Sequence, residues 1–247
     1  MKIVVIGGTG LIGTKLVGNL QKLGHEVIPA SPNTGVNTIT GEGLEEVLQG
    51  ADIVVDVANS PSFEDTAVMH FFETAGNNIA FAEKTAGVKH HVALSVVGTE
   101  NLQDSGYFRA KLAQEKIIKA AGIPYTIVRA TQFFEFLTSI AHASTDGETV
   151  RLSPALFQPM AAEDVAALLA SISLQAPANG TIDIAGPEKL PLHDAVVAAL
   201  HAKQDQRKVV RDAQAAYFGL VLNDSSLTPQ GQAQLGKLTL HDWLASL

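Results

Sequence analysis

The stretch that decides the fold runs from residue 3 to residue 13 and reads Ile3-Val4-Val5-Ile6-Gly7-Gly8-Thr9-Gly10-Leu11-Ile12-Gly13. Its four β-branched residues predict a short buried strand, and the apolar spacing that follows predicts a helix over Leu11–Leu23. Glycines at 7, 10 and 13 let backbone N–H groups and the helix start approach a pyrophosphate closely, because no Cβ intervenes. The sequence therefore predicts a dinucleotide-binding turn between a strand and a helix.

Two other kinds of loop have a similar glycine spacing to this glycine loop (residues 7–13). Glycines at this spacing also suit a simple tight turn, but the strand before the loop and the amphipathic helix after it favour nucleotide binding. A phosphate-binding loop of the NTPase type requires lysine at position 14, where this chain has Thr14, and Lys15 comes one residue late. We therefore expect the glycine loop to bind the pyrophosphate of a dinucleotide.

The alternation of short apolar runs with helical patterns continues to about residue 130. Strands are predicted at Glu26–Ala30, Asp52–Val57, His91–Val97 and Tyr125–Arg129, with helices near 44–48, 63–86 and 107–121. This order predicts an α/β fold with a doubly wound parallel sheet, the Rossmann fold, covered on both faces. Later elements are predicted at Glu163–Leu174 (helix), Thr181–Ala185 (strand) and Leu192–Leu200 (helix). We expect residues 1–130 to form the dinucleotide-binding core and residues 131–247 a smaller, continuous lobe on the substrate side.

Composition excludes several classes of protein. The 247 residues carry 17 Lys+Arg against 25 Asp+Glu, a net charge of −8 that disfavours general nucleic-acid binding. Cysteine is absent, which excludes disulfides, thiolate metal sites and cysteine nucleophiles and is consistent with the cytoplasmic location we expect. The eight histidines show no metal-ligand spacing, so no metal is expected. No apolar run has the length of a membrane span or a signal peptide, so no membrane association is expected.

The residues after the second strand bear on the cofactor type. No Asp or Glu lies between Glu26 and Glu42, where a carboxylate would accept the ribose 2′-hydroxyl of NAD and repel the 2′-phosphate of NADP. No Lys or Arg lies between Lys22 and Lys84 either. A 2′-phosphate would therefore depend on Ser31, Asn33, Thr34 and backbone amides, or on a side chain from a distant part of the sequence. The sequence favours NADP(H) over NAD(H), although residues 33–35 also suit a simple turn.

Three residues suggest proton transfer. Tyr107 and Lys111 are four residues apart at the start of a predicted helix and so share one face, where the ammonium is expected to lower the pKa of the phenol. Ser95 ends a predicted strand, and ligands lie at the carboxyl ends of parallel strands. A tyrosine tuned in this way can give a proton to a carbonyl oxygen or take one from an alcohol, while the serine holds the substrate oxygen. Each residue alone has an ordinary structural explanation; their order after the glycine loop favours the catalytic one.

The chain resembles the short-chain dehydrogenase/reductase superfamily, and more narrowly its atypical, NmrA-like NAD(P)-binding branch. The glycine loop, Ser95 and Tyr107-x-x-x-Lys111 carry the resemblance. Supporting segments are residues 86–92, 122–129, 131–135 and 183–188. The resemblance covers roughly residues 1–200. It implies the fold and nucleotide binding, but it does not specify the substrate, because this branch includes reductases, epimerase-like enzymes and redox sensors.

The resemblance also implies positions for the cofactor. Around the pyrophosphate it places Gly7, Thr9, Gly10, Leu11, Ile12 and Gly13. Further along the dinucleotide it places Ser31 at the adenosine ribose, Ala58 and Asn59 with Lys111 at the other ribose, and Thr131 and Gln132 near the nicotinamide or the substrate. Phe72 stands where the superfamily often has an asparagine that feeds a proton relay. The resemblance alone also implies a helix-mediated homodimer.

The sequence thus leads to an NAD(P)H-dependent oxidoreductase acting on a small carbonyl, quinone or alcohol. Phe133 and Phe134 follow a strand end and are predicted to line the substrate pocket, with burial in the core as the alternative. Two other functions stay open. One is a non-catalytic redox sensor that reports the NADP⁺/NADPH ratio to a protein partner. The other is a sugar-nucleotide epimerase, which ranks last because it usually needs a larger substrate domain.

Overall fold

A seven-stranded, wholly parallel sheet forms the centre of the computed structural model, which describes all 247 residues. Its strands are Lys2–Ile6 (β1), Glu26–Ala30 (β2), Ile53–Asp56 (β3), His90–Val96 (β4), Tyr125–Ala130 (β5), Gly180–Ala185 (β6) and Ala233–Leu235 (β7). They lie in the order β2-β1-β3-β4-β5-β6-β7. The predicted Rossmann-type fold is confirmed, and the carboxyl ends of all seven strands meet at one edge of the sheet.

Helices cover both faces of this sheet. They are Leu11–Lys22 (α1), Leu44–Leu48 (α2), Asp65–Ala86 (α3), Gly106–Ala120 (α4), Leu137–Ala143 (α5), Ala162–Ser173 (α6), Leu192–Ala202 (α7) and Leu240–Ala245 (α8). Side chains alternate along β1, so that Ile3 and Val5 face α1 and α6, whereas Val4 and Ile6 face α2 and α3. Burial of both faces explains why β1 and β3 consist almost wholly of β-branched residues. None of the helices combines the length and the apolar character that a membrane crossing requires.

The chain after residue 130 builds both the sheet and a second layer above it. β6, β7 and α6 extend the core, so the division at residue 130 does not coincide with the edge of the sheet. The remainder forms a lobe around its own apolar cluster, which includes Phe134, Phe157 and Leu200. Short strands in this lobe are Thr145–Asp146, Thr149–Leu152, Leu156–Phe157, Leu190–Pro191, Lys208–Arg211, Ala216–Tyr217 and Leu220–Val221. The lobe is therefore joined to the core by sheet and helix packing rather than by a linker.

A buried pair of titratable residues ties α3 to β4. The Nδ1 atom of His91 lies 2.6 Å from Oε1 of Glu83, and both side chains are almost fully buried. The other ring nitrogen, Nε2, is buried without a hydrogen-bond partner. Burial alone would lower the pKa of His91, but the Glu83 carboxylate outweighs it and, with Asp56, holds the pKa above 6.5. The pair therefore favours a charged imidazole inside the protein.

Replacing Glu83 by glutamine should lower the free energy of unfolding by about 3 kcal/mol, because a buried imidazolium loses its counter-charge. Because the pKa of His91 is raised in the folded state, the pair contributes its full stabilisation of the fold at pH values below the unfolded-state pKa of about 6.5. This contribution is lost as the pH rises through the folded-state pKa. Urea unfolding at several pH values measures the difference, which should be largest near pH ~6. Glu73→Gln, at an exposed position of α3, is the control. A loss that is the same at every pH would contradict the assigned charge.

Candidate functional site

The glycine loop connects β1 to α1 at the carboxyl edge of the sheet. Gly7 has a φ of +77°, which side chains rarely adopt, and a Cβ there would lie 2.8 Å from the backbone nitrogen of Ala58. A Cβ on Gly13 would lie 2.1 Å from the carbonyl oxygen of Gly7. Hydrogen bonds from Gly7 N and Gly8 N to the carbonyl oxygen of Ala30 hold the loop against the end of β2. The loop therefore packs so closely that only glycine suits these positions.

The N-terminus of α1 is open toward solvent on the outer side of this loop. Gly10 is the N-cap residue and offers no side chain to the first N–H groups, and the first turn contains no acidic residue. Thr9, Gly10 and Leu11 are exposed, whereas Ile12 and Gly13 are buried beneath them. Uncapped N–H groups and the helix dipole together favour an anion at this end. These residues fit the pyrophosphate of a dinucleotide, as the sequence predicts.

The residues predicted for the adenosine end follow β2. Ser31 is buried, and its hydroxyl accepts a hydrogen bond of 3.0 Å from the hydroxyl of Thr9. Asn33 is exposed within the single 3₁₀ turn Pro32–Thr34, which begins after Ser31. Ser31 is therefore linked directly to the glycine loop, whereas Asn33 lies at the surface.

Ala58 and Asn59 follow β3 beside the glycine loop. Ala58 N donates a 3.0 Å hydrogen bond to Oδ1 of Asp56, which fixes the turn after the strand. Asn59 is exposed, and its Oδ1 accepts from the backbone of Ser60 at 3.1 Å. Both residues lie at the carboxyl edge of the sheet, where the sequence predicts the second ribose.

Tyr107 lies in the first turn of α4 among aromatic side chains. Ring centroids of Phe63, Phe108 and Phe72 lie 5.5, 5.8 and 6.2 Å from its own. Burial raises the pKa of Tyr107 to about 12. The expectation that Lys111 lowers this pKa is wrong for this arrangement, because the apolar surroundings disfavour the phenolate. Tyr107 is thus a protonated phenol throughout the neutral range.

Lys111 is buried beneath α4 and makes its hydrogen bonds toward the sheet. Its Nζ donates to the carbonyl oxygen of Leu94 at 2.9 Å and to Oε1 of Gln114, and lies 4.4 Å from the ring centroid of Phe72. Burial lowers the pKa of Lys111 to about 8, while the Asp56 and Glu115 carboxylates oppose that shift. Phe72 contacts both Lys111 and Tyr107, so an aromatic ring occupies the position where the superfamily often has an asparagine.

Ser95 is near the end of β4, as predicted, but its hydroxyl is already bound. It donates a 2.7 Å hydrogen bond to Oε1 of Glu115, a buried residue of α4. The same carboxylate accepts from Arg129 Nε and Nη2 at 2.9 and 2.7 Å. The expectation that Ser95 presents a free hydroxyl to the cofactor is therefore corrected. The structure does not bring Ser95, Tyr107 and Lys111 into one hydrogen-bonded group.

Thr131 and Gln132 follow β5, and their side chains differ in hydrogen bonding. Thr131 is 1% exposed, and its hydroxyl donates to the carbonyl oxygen of Gln158 at 2.6 Å, so it does not serve a ligand in this arrangement. The side-chain oxygen of Gln132, by contrast, is buried with no hydrogen-bond partner. Buried polar atoms are rarely left unpaired, so this oxygen is an exception in the structure. The positions of Thr131 and Gln132 near the nicotinamide or the substrate stay predictions.

The two phenylalanines predicted for the substrate pocket have different surroundings. Phe134 is 1% exposed and packs against Trp243, with ring centroids 5.5 Å apart, so it belongs to the core of the lobe. Phe133 is partly buried and stacks on Phe136, which is 43% exposed. Phe136 is therefore the accessible aromatic surface here.

Sequence reasoning also missed residues around α4. Gln114 and Glu115 hold Lys111, Ser95 and Arg129, and their position one turn after Lys111 is the signal that could have found them. Tyr217 belongs to a hairpin of the lobe whose tip residues, Phe218 and Gly219, both have positive φ. Burial and the neighbouring Tyr107 raise the pKa of Tyr217, so a second phenol lies close to the first.

Comparison with known proteins agrees with this geometry. The family model described as NAD(P)H-binding matches residues 7–176, from the first glycine of the loop to just beyond α6. An isoflavone reductase homolog, A622 of Nicotiana glauca, is 27% identical over 165 residues, 57% of this chain and 52% of that protein. Photosystem II assembly factor Ycf39 of Cyanophora paradoxa is 24% identical over 151 residues, 56% of this chain and 47% of that protein. The chain thus spans about half the length of these relatives.

Solved structures share the fold. MoeE5 in complex with UDP-glucose and NAD superposes with a TM-score of 0.76 at 18% identity, covering 99% of this chain and 96% of that one. A nucleoside-diphosphate-sugar epimerase of Staphylococcus aureus gives a TM-score of 0.75 at 15% identity, covering 99% of both chains. At these identities the likeness concerns the fold alone. Because the family model covers residues 7–176, more than half of the sequence, the chain belongs to the NAD(P)H-binding family.

Proposed function

We propose that the protein is an NAD(P)H-dependent reductase that acts on a small carbonyl or quinone. The observation that supports this most directly is the position of Tyr107, a phenol in the first turn of α4, the helix that follows β4 at the carboxyl edge of the sheet. Such a phenol keeps its proton at neutral pH, and a proton donor is what a carbonyl oxygen requires as hydride arrives. The Nicotiana relative named as a reductase homolog supports the same reaction class.

Each group has a separate role in this proposal. The amides of the glycine loop and the N-terminus of α1 bind the pyrophosphate, and Ser31 lies toward the adenosine ribose. The bound cofactor would supply the hydride. Thr131 and Gln132, which follow β5, would lie near the nicotinamide or the substrate. Tyr107 donates the proton to the substrate oxygen, and the exposed ring of Phe136 offers an apolar surface to the substrate.

We further propose that NADP(H) is preferred over NAD(H). The segment that follows β2 has no carboxylate to repel a 2′-phosphate, and the Ser31 hydroxyl, held by Thr9, lies at its start. Discrimination between the two cofactors should be modest, because the same segment contains no Lys or Arg to pair with the phosphate.

Calorimetric titration with NADPH, NADP⁺, NADH and NAD⁺ on one preparation tests this proposal. We expect NADPH to bind best, with NADP⁺ within about tenfold, equivalent to ~1.4 kcal/mol. Turnover on a panel of carbonyls and quinones should follow, measured by the loss of NADPH absorbance. If none of the four nucleotides binds, the proposed function is wrong.

A redox sensor is the second candidate, and specific contacts favour it. The Ser95 hydroxyl already donates to Glu115, and the Lys111 ammonium already donates to the Leu94 carbonyl oxygen and to Gln114. One relative is named as an assembly factor rather than an enzyme. A sensor would bind one redox form of NADP far more tightly than the other and would turn over no substrate.

A further inference from the structure

A buried carboxylate, Asp56, connects the glycine loop to α4. It lies at the end of β3 and is 4% exposed. Its two oxygens have different partners: Oδ1 accepts from Ala58 N at 3.0 Å, and Oδ2 accepts from Nε2 of Gln114 at 2.9 Å. One side chain therefore contacts both the border of the glycine loop and the helix that carries Tyr107 and Lys111.

The first contact determines the shape of the glycine loop. Ala58 is the residue against which Gly7 packs, since a Cβ on Gly7 would lie 2.8 Å from the Ala58 nitrogen. Asp56 holds that nitrogen, and Val57 N donates to the carbonyl oxygen of Ile6 at 2.9 Å. A displacement of Asp56 would therefore move the backbone that borders the pyrophosphate position.

The second contact determines the position of the Lys111 ammonium. Gln114 is 3% exposed; its Nε2 donates to Asp56, so its Oε1 must face Lys111 Nζ, which donates to it. The other acceptor of Nζ is the backbone oxygen of Leu94. Asp56 thus fixes which end of the Gln114 amide the ammonium meets.

Charge adds to this arrangement. Removing an ammonium from water is costly unless an opposite charge compensates for it. The groups around Lys111 are the Asp56 carboxylate on β3, Gln114 and Glu115 on α4, Phe72 on α3 and the Leu94 carbonyl on β4. Asp56 and Glu115 supply the negative charge, and Asp56 is joined to the ammonium through a single amide.

We propose that Asp56 and Gln114 are positioning residues that couple the seating of the cofactor pyrophosphate in the glycine loop to the position of the Lys111 ammonium. The inference rests on the proposed use of NADPH and on Lys111 serving the bound cofactor, but not on turnover. It predicts that a change at Asp56 or Gln114 alters nucleotide affinity although neither side chain lies at the protein surface.

The first test is Asp56→Asn, followed by fluorescence titration of NADPH. Asparagine can still accept from Ala58 N, but its amide group would then face the donor end of Gln114. Gln114 would have to turn, and its own NH₂ would meet Lys111. We expect NADPH affinity at pH ~7 to fall about tenfold and the pH at which affinity decreases to shift downward, because the ammonium is less well stabilised.

Gln114→Met is the second variant, because it leaves the contact between Asp56 and Ala58 intact. Gln114→Met should reproduce most of the loss of NADPH affinity expected for Asp56→Asn. That result would show that the loss arises from the altered position of Lys111 rather than from a change in the glycine loop. Asp52→Asn is the matched control: it removes a carboxylate paired with the exposed Lys89 and should leave NADPH affinity unchanged. Circular dichroism and thermal melting establish that each variant is folded.

Repeating Asp56→Asn in a Lys111→Met background completes the experiment. Coupling predicts that Asp56→Asn, made in the Lys111→Met variant, lowers NADPH affinity by less than about twofold. Full additivity, or unchanged affinity and pH dependence in folded Asp56→Asn and Gln114→Met, would overturn the inference while leaving the proposed function standing. Absence of NADPH binding by the unaltered protein, measured in the same assay, would overturn the proposed function and the coupling together.

Discussion

Replacing Gly13 by alanine should abolish dinucleotide binding and lower the free energy of unfolding by about 3 kcal/mol. The added Cβ would lie 2.1 Å from the Gly7 carbonyl oxygen, with Gly8 backbone atoms at 2.7 and 2.8 Å. These neighbours are backbone, so the clash is relieved only by moving the glycine loop away from the start of α1. That movement separates the amides that would bind the pyrophosphate, and we expect NADPH affinity to fall more than about a hundredfold, ~2.7 kcal/mol.

Gly18→Ala provides the matched control for this change. Gly18 lies in the same helix, and a Cβ there would meet nothing within 4 Å. Alanine is the better helix former, so this variant should be more stable than the parent by about 0.5–1 kcal/mol and bind NADPH equally well. Chemical unfolding and NADPH titration of both variants measure the contrast. If the Gly13→Ala variant binds NADPH as tightly as the parent protein, the glycine loop is a structural turn only.

The core of the fold could be predicted from sequence because its strands are buried on both faces. Such strands are apolar runs, and the predicted bounds of β1 to β6 agree with the structure to within one or two residues: Asp52–Val57 is the prediction for β3 and Ile53–Asp56 is observed. The edge strand β7, Ala233–Leu235, is not predicted, because two of its three residues are exposed and the segment has no apolar run. α1 was expected over Leu11–Leu23 and ends at Lys22. The lobe gave no comparable signal, because its strands of two to four residues are too short to show a period and depend on tertiary contacts.

The site shows where sequence reasoning ends. Ser95 was placed correctly near the end of a strand, but the direction of its hydroxyl depends on Glu115, twenty residues later in the chain. The glycine spacing could be interpreted from local sequence alone, since its reason is steric. The pKa of Tyr107 could not, because Lys111 extends toward Gln114 and Phe72 and the phenol is surrounded by aromatic rings. Electrostatic effects depend on side-chain directions that spacing along a helix does not determine.

Replacing Tyr107 by phenylalanine should reduce the turnover number by about 10²–10⁴, because the reduced substrate oxygen loses its proton donor. The affinity for NADPH should stay within about twofold, since the phenol does not contact the glycine loop in this proposal. Steady-state kinetics and NADPH titration separate the two effects. Tyr125→Phe, at the first residue of β5 and the opposite edge of the sheet, is the control for loss of a phenol.

The raised pKa of Tyr107 also predicts how the rates of the two directions depend on pH. With a pKa of about 12, the phenol is protonated throughout the neutral range, so the rate of reduction at saturating NADPH should change little between about pH 6 and 9. Oxidation of the alcohol requires the phenolate, present at pH 7 in only about one molecule in 10⁵, so the reverse reaction should be slow and should accelerate as the pH rises. Unchanged turnover in Tyr107→Phe would remove this residue from the mechanism. A bell-shaped profile for reduction centred near neutrality would instead indicate a phenol whose pKa is lowered by Lys111, as the spacing of the two residues predicts.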